Sequence, residues 1–265
     1  MTAPIPPRIL SIAGSDSSGG AGIQADIKTI AMLGGYAMTA IAAITAQNTT
    51  GVKGVAGIAP DMVAQQIASC VDDIGVDAVK IGMLASPEVI AVVADALGAV
   101  EAPVVLDPLM IATSGAVLVG PDAVERLRRD LFPHATLLTP NLPELAHLAG
   151  RDLSTHGAMV AAARELADAS GAAVLAKGGH AQGDRITDVL IVAGGAPLAF
   201  DHARIATSHT HGTGCTLSSA IATLLGRGES LAEAVRLARE FVLAAIAAAP
   251  GFGAGHGPLG HQAVR

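Results

Sequence analysis

Aromatic side chains are nearly missing from this sequence. Across 265 residues there is no Trp, one Tyr and four Phe. A surface that grips nucleic acid wants stacking rings and basic patches, and a formal net charge of -7 supplies neither, so no nucleic-acid partner is expected. No apolar run approaches the ~20 residues of a membrane span. The longest, Phe241 to Ala249, reads as the face of a buried helix, so no membrane partner is expected. Cysteine is scarce too: Cys70 and Cys215 lie far apart without metal-ligand spacing, which suits a reduced, cytoplasmic enzyme. Met1 to Pro7 holds three prolines and no basic segment, so no secretory signal is expected there.

Two nucleotide-binding patterns are absent or incomplete. The phosphate loop G-x-x-x-x-G-K-[ST] occurs nowhere. Gly20-Ala21-Gly22-Ile23-Gln24-Ala25 fits the dinucleotide fingerprint G-x-G-x-x-A, but that motif also needs a downstream acid for the ribose. From Ile27 to Pro60 there is no Asp or Glu, so a NAD-dependent oxidoreductase is a distant reading.

What is present is an aliphatic α/β pattern. About half the residues are apolar, drawn mainly from Ala, Val, Ile and Leu. Short charge-poor strands alternate with helices along the whole chain, with no linker and no repeat. The pattern predicts one domain, 1–265, with a mostly parallel central sheet and helices on both faces. Strands are expected at Arg8 to Ala13, Tyr36 to Ala46, Ala78 to Leu84, Val104 to Leu106, Thr136 to Thr139 and Ala172 to Ala176. Pro60 to Asp73 reads as a helix, Ser86 and Ser154 read as helix caps, and Gly194-Gly195 reads as the turn of an antiparallel hairpin.

The stretch His211-Gly212-Thr213-Gly214-Cys215-Thr216 opens a helix. Free N–H groups there, with no Cβ at Gly212 or Gly214, make a seat for an anion, and the helix dipole adds positive charge. A thiol at such a helix start is expected to ionise more easily, which makes Cys215 a candidate for chemistry; the alternative is a small buried side chain. Gln47 ends an apolar strand and carries both donor and acceptor, suited to a heteroaromatic edge or to tying down the next turn. Asp107 leaves a strand at its C-terminal end, where open α/β sheets bind ligands, or it is a turn residue. Asn141 and Glu144 have N-x-x-E spacing, which fits a capping box or two groups around a hydrated Mg²⁺. Lys177, before two glycines, could meet a phosphate as a point charge. Asp26 reads as a solvated helix residue and Met83 as core.

Taken together, Gly14-Ser15-Asp16-Ser17-Ser18-Gly19-Gly20-Ala21-Gly22, Thr45-Ala46-Gln47-Asn48, Lys80-Ile81-Gly82-Met83-Leu84, Leu106-Asp107-Pro108, Thr139-Pro140-Asn141-Leu142-Pro143-Glu144, Lys177-Gly178-Gly179-His180 and Thr210-His211-Gly212-Thr213-Gly214-Cys215 resemble the ribokinase-like kinases. More narrowly, they resemble the hydroxymethylpyrimidine/phosphomethylpyrimidine kinases of thiamine biosynthesis, in one order along almost the whole chain. The resemblance implies a ribokinase-like three-layer fold, ATP and Mg²⁺ as cofactors, a small-molecule partner and a homodimer. It implies that Gln47 and Asp26 bond an aminopyrimidine in a pocket lined by Gly14 and Met83. It implies that Asn141, Glu144 and Asp107 organise Mg²⁺, and that Lys177, Thr207 and Thr213 meet ATP. Gly212, Gly214 and Cys215 then carry the chemistry, with Cys215 where ribokinase has an Asp base. Relatives often carry Asn at the position of His209 and an acid at that of Ala116. Pyridoxal kinase, of the same superfamily, and a non-catalytic pyrimidine-binding protein are the rival readings.

Overall fold

The computed structural model describes residues 5–110, 121–180 and 183–264. Among the described residues nine strands form one sheet: β1 (Arg8–Asp16), β2 (Tyr36–Asn48), β3 (Gly51–Gly57), β4 (Ala78–Ile81), β5 (Val104–Leu106), β6 (Leu137–Leu138), β7 (Ala173–Ala176), β8 (Arg185–Ile191) and β9 (Leu198–Ala203). Their spatial order is β3-β2-β1-β4-β5-β6-β7-β8-β9. The run from β2 to β7 is parallel, whereas β3 at one end and the β8–β9 hairpin at the other are antiparallel additions.

β3 was not legible in the sequence. Its Gly51-Val52-Lys53-Gly54-Val55-Ala56-Gly57 is mostly exposed and lacks an alternating apolar face. Pairing with the over-long β2, not a buried side, makes it a strand.

Among the described residues eight α-helices cover the sheet: α1 (Gly22–Met32), α2 (Pro60–Asp73), α3 (Pro87–Leu97), α4 (Pro121–Arg126), α5 (Leu142–Ala149), α6 (His156–Ser170), α7 (Thr213–Gly226) and α8 (Leu231–Ala247). Residues α2 to α6 contribute to one apolar core with Leu10, Ile12, Val79 and Ile81; α1, α7 and α8 pack in a second core with Ile9 and Ala78. Alternate residues of one strand thus feed opposite layers, the period-2 signature of a sheet buried on both sides. The helix signals act as expected at most ends. Ser86 Oγ accepts from Val89 N, and Gly171 ends α6 in the left-handed conformation. The cap of α6 is Thr155, not Ser154: Thr155 Oγ1 accepts from Ala158 N at 3.1 Å. No helix among the described residues is long and apolar enough to cross a membrane.

α7 is the central helix of its layer. Every residue from Cys215 to Leu224 is buried, and these are mostly small. Small side chains let the helix lie low on the sheet; a Cβ at Gly226 would stand 2.7 Å from Ile9 Cδ1. The chain leaves β1 for β2 on one side and returns to β4 on the other, so a crevice opens at the carboxyl ends of these strands.

Candidate active site

That crevice holds a cavity of about 1140 Å³. Each parallel strand delivers a residue to it: Gly14 from β1, Gln47 from β2, Met83 beyond β4, Asp107 beyond β5, Asn141 beyond β6 and Lys177 beyond β7. Glu144, Thr207, Gly212, Thr213, Gly214 and Cys215 line it as well. Twelve of the thirteen residues singled out in the sequence therefore share one space.

Asp26 is the exception. It is fully buried behind the wall and does not line the cavity. It is not the solvated helix residue the pattern suggested, nor is it placed to bond a substrate. Ser11 Oγ, Lys80 Nζ and Ser219 Oγ all donate to its carboxylate. Pattern alone misleads here because the polar partners arrive from β1, β4 and α7, far away in sequence.

At the start of α7 the anion seat is open. Thr213 N makes a long bond to Thr210 O at 3.3 Å, while the amides of Gly212, Gly214 and Cys215 have no acceptor among the described residues. Gly214 faces Asp107 and Lys177: a Cβ there would lie 3.2 Å from Asp107 Oδ2 and 3.3 Å from Lys177 Nζ. Thr213 Oγ1 donates to Thr210 O, and Thr207 Oγ1 accepts from His209 N, so both threonines shape the approach loop.

The Cys215 thiol departs from expectation. Burial pushes it up to about 11, against the pull of Lys80 and with Asp26 and Asp107 adding to the rise. Desolvation outweighs the helix dipole because the sulfur lies beneath the helix start rather than in water.

Lys177 Nζ donates to Asp107 Oδ1 at 2.9 Å, and Thr139 Oγ1 donates to the same oxygen at 3.0 Å. Burial alone would lower the Lys177 ammonium, yet Asp107 and Glu144 hold it above its ordinary value. Asn141 and Glu144 do form the capping box: Asn141 Oδ1 accepts from Glu144 N, and Glu144 Oε2 accepts from Asn141 N. The two readings of the spacing are compatible, because the buried Glu144 Oε1 has no hydrogen-bond partner among the described residues. Burial raises Glu144 to about 7, with Asp107 adding to it and Lys177 opposing. Among the described residues no three His, Cys, Asp or Glu gather into a metal cage. A hydrated Mg²⁺ needs only one or two carboxylates, and the spare Glu144 oxygen beside Asp107 fits that demand.

Two parts of the site escaped the sequence reading: the Asp16–His211 pair and the tail at 251–258. Asp16 accepts from the backbone of Ser18, Gly20 and Ala21, which folds the Gly/Ser loop over its own carboxylate. Burial would raise it, but His211 and the loop N–H groups hold it near 2. His211 Nε2 lies 2.8 Å from Asp16 Oδ2 and 3.3 Å from the Gln47 amide nitrogen. A loop Asp before several small residues was the available signal for the first. The second region is the tail at 251–258, whose alternating glycines let it pack closely: His256 N donates to Thr49 O, and His211 N donates to Gly257 O. His209 lies against Gly257, whereas Thr113, Ser114, Gly115 and Ala116 lie outside the described residues.

Comparison with known proteins agrees with this geometry. A family model described as phosphomethylpyrimidine kinase matches residues 16–260. The hydroxymethylpyrimidine/phosphomethylpyrimidine kinase of Rhizobium meliloti is 48% identical, over 95% of this chain and 96% of its own. The thiamine biosynthesis bifunctional protein ThiED of Geobacter sulfurreducens is 46% identical over 96% of this chain, which spans about half (52%) of that relative. Among solved structures, an ADP complex of Bacillus subtilis pyridoxal kinase superposes with a TM-score of 0.89 at 37% identity, covering 98% of this chain and 99% of the other.

Proposed function

This chain belongs to the phosphomethylpyrimidine kinase family, and from that premise we propose that it phosphorylates 4-amino-5-hydroxymethyl-2-methylpyrimidine with ATP. The monophosphate product is then phosphorylated again to the diphosphate, as thiamine biosynthesis requires. One observation carries the reading: the open amides of Gly212, Gly214 and Cys215 face the same cavity as Gln47.

In the first reaction the alcohol oxygen forms a bond to the γ-phosphorus, and the bond from phosphorus to the ADP oxygen breaks, its electron pair leaving with ADP. The alcohol proton passes to Cys215 Sγ in its thiolate form. Charge spreads over the phosphoryl oxygens in such a loose transition state, so fixed donors and positioning carry the catalysis. The α7 amides and the Lys177 ammonium supply those donors. Gln47, with the Asp16–His211 pair behind it, presents its amide to the ring edge, and Gly14 leaves room for the Met83 methyl, which a Cβ there would meet at 2.5 Å. Mg²⁺, held by Glu144 and Asp107 with Asn141 beside them, would neutralise phosphate charge when bound. The second reaction needs no base, because a phosphate monoester is already ionised near neutral pH.

The same reading makes the enzyme a cytoplasmic homodimer. Half-exposed Ile44 and Val55 at the β2–β3 edge supply apolar surface for pairing. Pyridoxal kinase is the second reading, favoured by the close superposition on the Bacillus subtilis enzyme. Steady-state ADP release with the pyrimidine alcohol, its monophosphate and pyridoxal tests both. Turnover of the first two with a much lower kcat/KM for pyridoxal supports the proposal. Preference for pyridoxal, or binding without ADP release, overturns it.

A further inference from the structure

A buried ion pair, Lys80 with Asp26, lies within electrostatic reach of Cys215. Lys80 sits in β4 opposite Ser11 of β1. It points into the layer occupied by α1 and α7, as its neighbour Ala78 does. Lys80 and Asp26 are both fully buried, and Lys80 Nζ donates to Asp26 Oδ2 at 2.8 Å. Ser219 Oγ donates to the other Asp26 oxygen. Ser219 stands four residues after Cys215 on α7, so the two side chains share one helix face. Asp26 thereby anchors the ammonium one helical turn from the sulfur.

A purely structural role explains this arrangement poorly. Burying two charges costs several kcal/mol each before their attraction offsets it, and apolar residues of similar volume often serve stability equally well. Lys80 also has two N–H groups with no acceptor among the described residues. Its side chain reaches the cavity floor together with Cys215 and Asp107. Room for the ammonium depends on Gly82, where a Cβ would lie 2.9 Å from Nζ.

We propose that Lys80 is a positioning residue for the first phosphorylation: pinned by Asp26, its fixed positive charge stabilises negative charge on Cys215 Sγ, the group that takes the alcohol proton. This rests on the kinase reading above. The charges facing the sulfur are Lys80 from β4, Asp26 from α1, and Asp107 beyond β5. Lys177, beyond β7, pairs with Asp107 and also acts on the sulfur, favouring its charged form. Lys80 is the foremost group that lowers the cost of ionising the thiol, and the Gly22 N–H adds to it; burial and the two carboxylates raise it.

The test needs no substrate. In a Cys70→Ser background Cys215 is the only thiol, and its alkylation by iodoacetamide reports thiolate content across about pH 7 to 10. Lys80→Met is expected to slow alkylation about tenfold at each pH, as loss of one nearby charge should. Asp26→Asn is expected to leave the rate unchanged or raise it. A structural role moves both variants the same way, and partial unfolding speeds alkylation in both. The double variant Lys80→Met with Asp26→Asn, which leaves no unpaired charge buried, is expected to stay slower than wild type. An unchanged or faster rate in both Lys80→Met backgrounds overturns the inference. In turnover, Lys80→Met is expected to lower kcat/KM for the alcohol about tenfold, with less than about threefold loss for the monophosphate. If wild type lacks kinase activity but alkylation still depends on Lys80, the kinase reading fails and the charge relationship stands. If turnover is normal and alkylation ignores Lys80, only this inference fails.

Discussion

Gly212 and Gly20 meet backbone to backbone at the rim of the cavity. Gly212 holds φ at 82°, and a Cβ there would overlap the Gly20 carbonyl oxygen. The contact joins the anion seat to the Gly/Ser loop, which Asp16 folds from below. Gly212→Ala combines a left-handed strain of roughly 1–2 kcal/mol with displacement of the loop. The expected result is a fall in Tm of about 2–4 °C per kcal/mol lost, with KM for ATP raised about tenfold or more. Calorimetry and ATP titration check it; an unchanged KM means the two loops need not touch.

Cys215→Ala separates the two reactions. Loss of a general base costs about 10²–10⁴ in rate, so kcat/KM for the alcohol should fall by that order. The monophosphate reaction should lose only a few-fold. Because the thiol stands near 11, about one in ten thousand is ionised at pH 7. In the wild type the alcohol reaction should therefore keep rising with pH through the neutral range. The monophosphate reaction should level off above about pH 6, where its second phosphate proton is gone. Equal loss in both reactions of the variant contradicts the assignment of the base.

Glu144 titrates near 7, raised by burial, and metal binding needs its carboxylate. The Mg²⁺ concentration giving half-maximal rate is expected to rise about tenfold per pH unit below that value and to be flat above it. Glu144→Gln should raise the requirement at all pH values and remove the pH dependence. Activity against Mg²⁺ concentration at several pH values reads this directly, and chelation by EDTA should abolish turnover in both proteins.

His261 is expected to make stability fall in mild acid. It is buried, its Nε2 is 2.8 Å from Thr216 Oγ1 on α7, and burial lowers it from 6.5 to about 4. A depressed histidine contributes stability in full above 6.5 and loses it as pH falls toward 4. The loss amounts to on the order of 3 kcal/mol. Thermal melts should show Tm dropping across that window, and His261→Gln should flatten the drop. A wild-type melting curve insensitive to pH between those limits would remove the argument.

The sequence carries more of the site than of the support beneath it. Asp107, Asn141 and Lys177 were legible because strand-then-loop punctuation puts each at a carboxyl end of the sheet, and such ends converge; Gly14 was pointed to by the resemblance alone. The capping box between Asn141 and Glu144 was legible from spacing, since its bonds are local. Asp26 was misread because its partners Ser11, Lys80 and Ser219 come from three other elements. Local pattern likewise gave the wrong sign for the Cys215 thiol: a helix start argues for easier ionisation, but the depth of α7 against the sheet decides it. β3 and the glycine tail follow the same rule, each ordered by its neighbour rather than by its own residues.

The central claim is that the amides at the start of α7 receive the charge of the transferring phosphoryl group. A crystal structure of the enzyme with the pyrimidine alcohol, Mg·ADP and a fluoroaluminate mimic of that group tests it most directly. The account predicts fluoride ligands within about 3 Å of the backbone nitrogens of Gly212, Gly214 and Cys215, with Gln47 bonded to the ring. Fluoroaluminate bound elsewhere, with those three nitrogens turned to acceptors inside the protein, would contradict it.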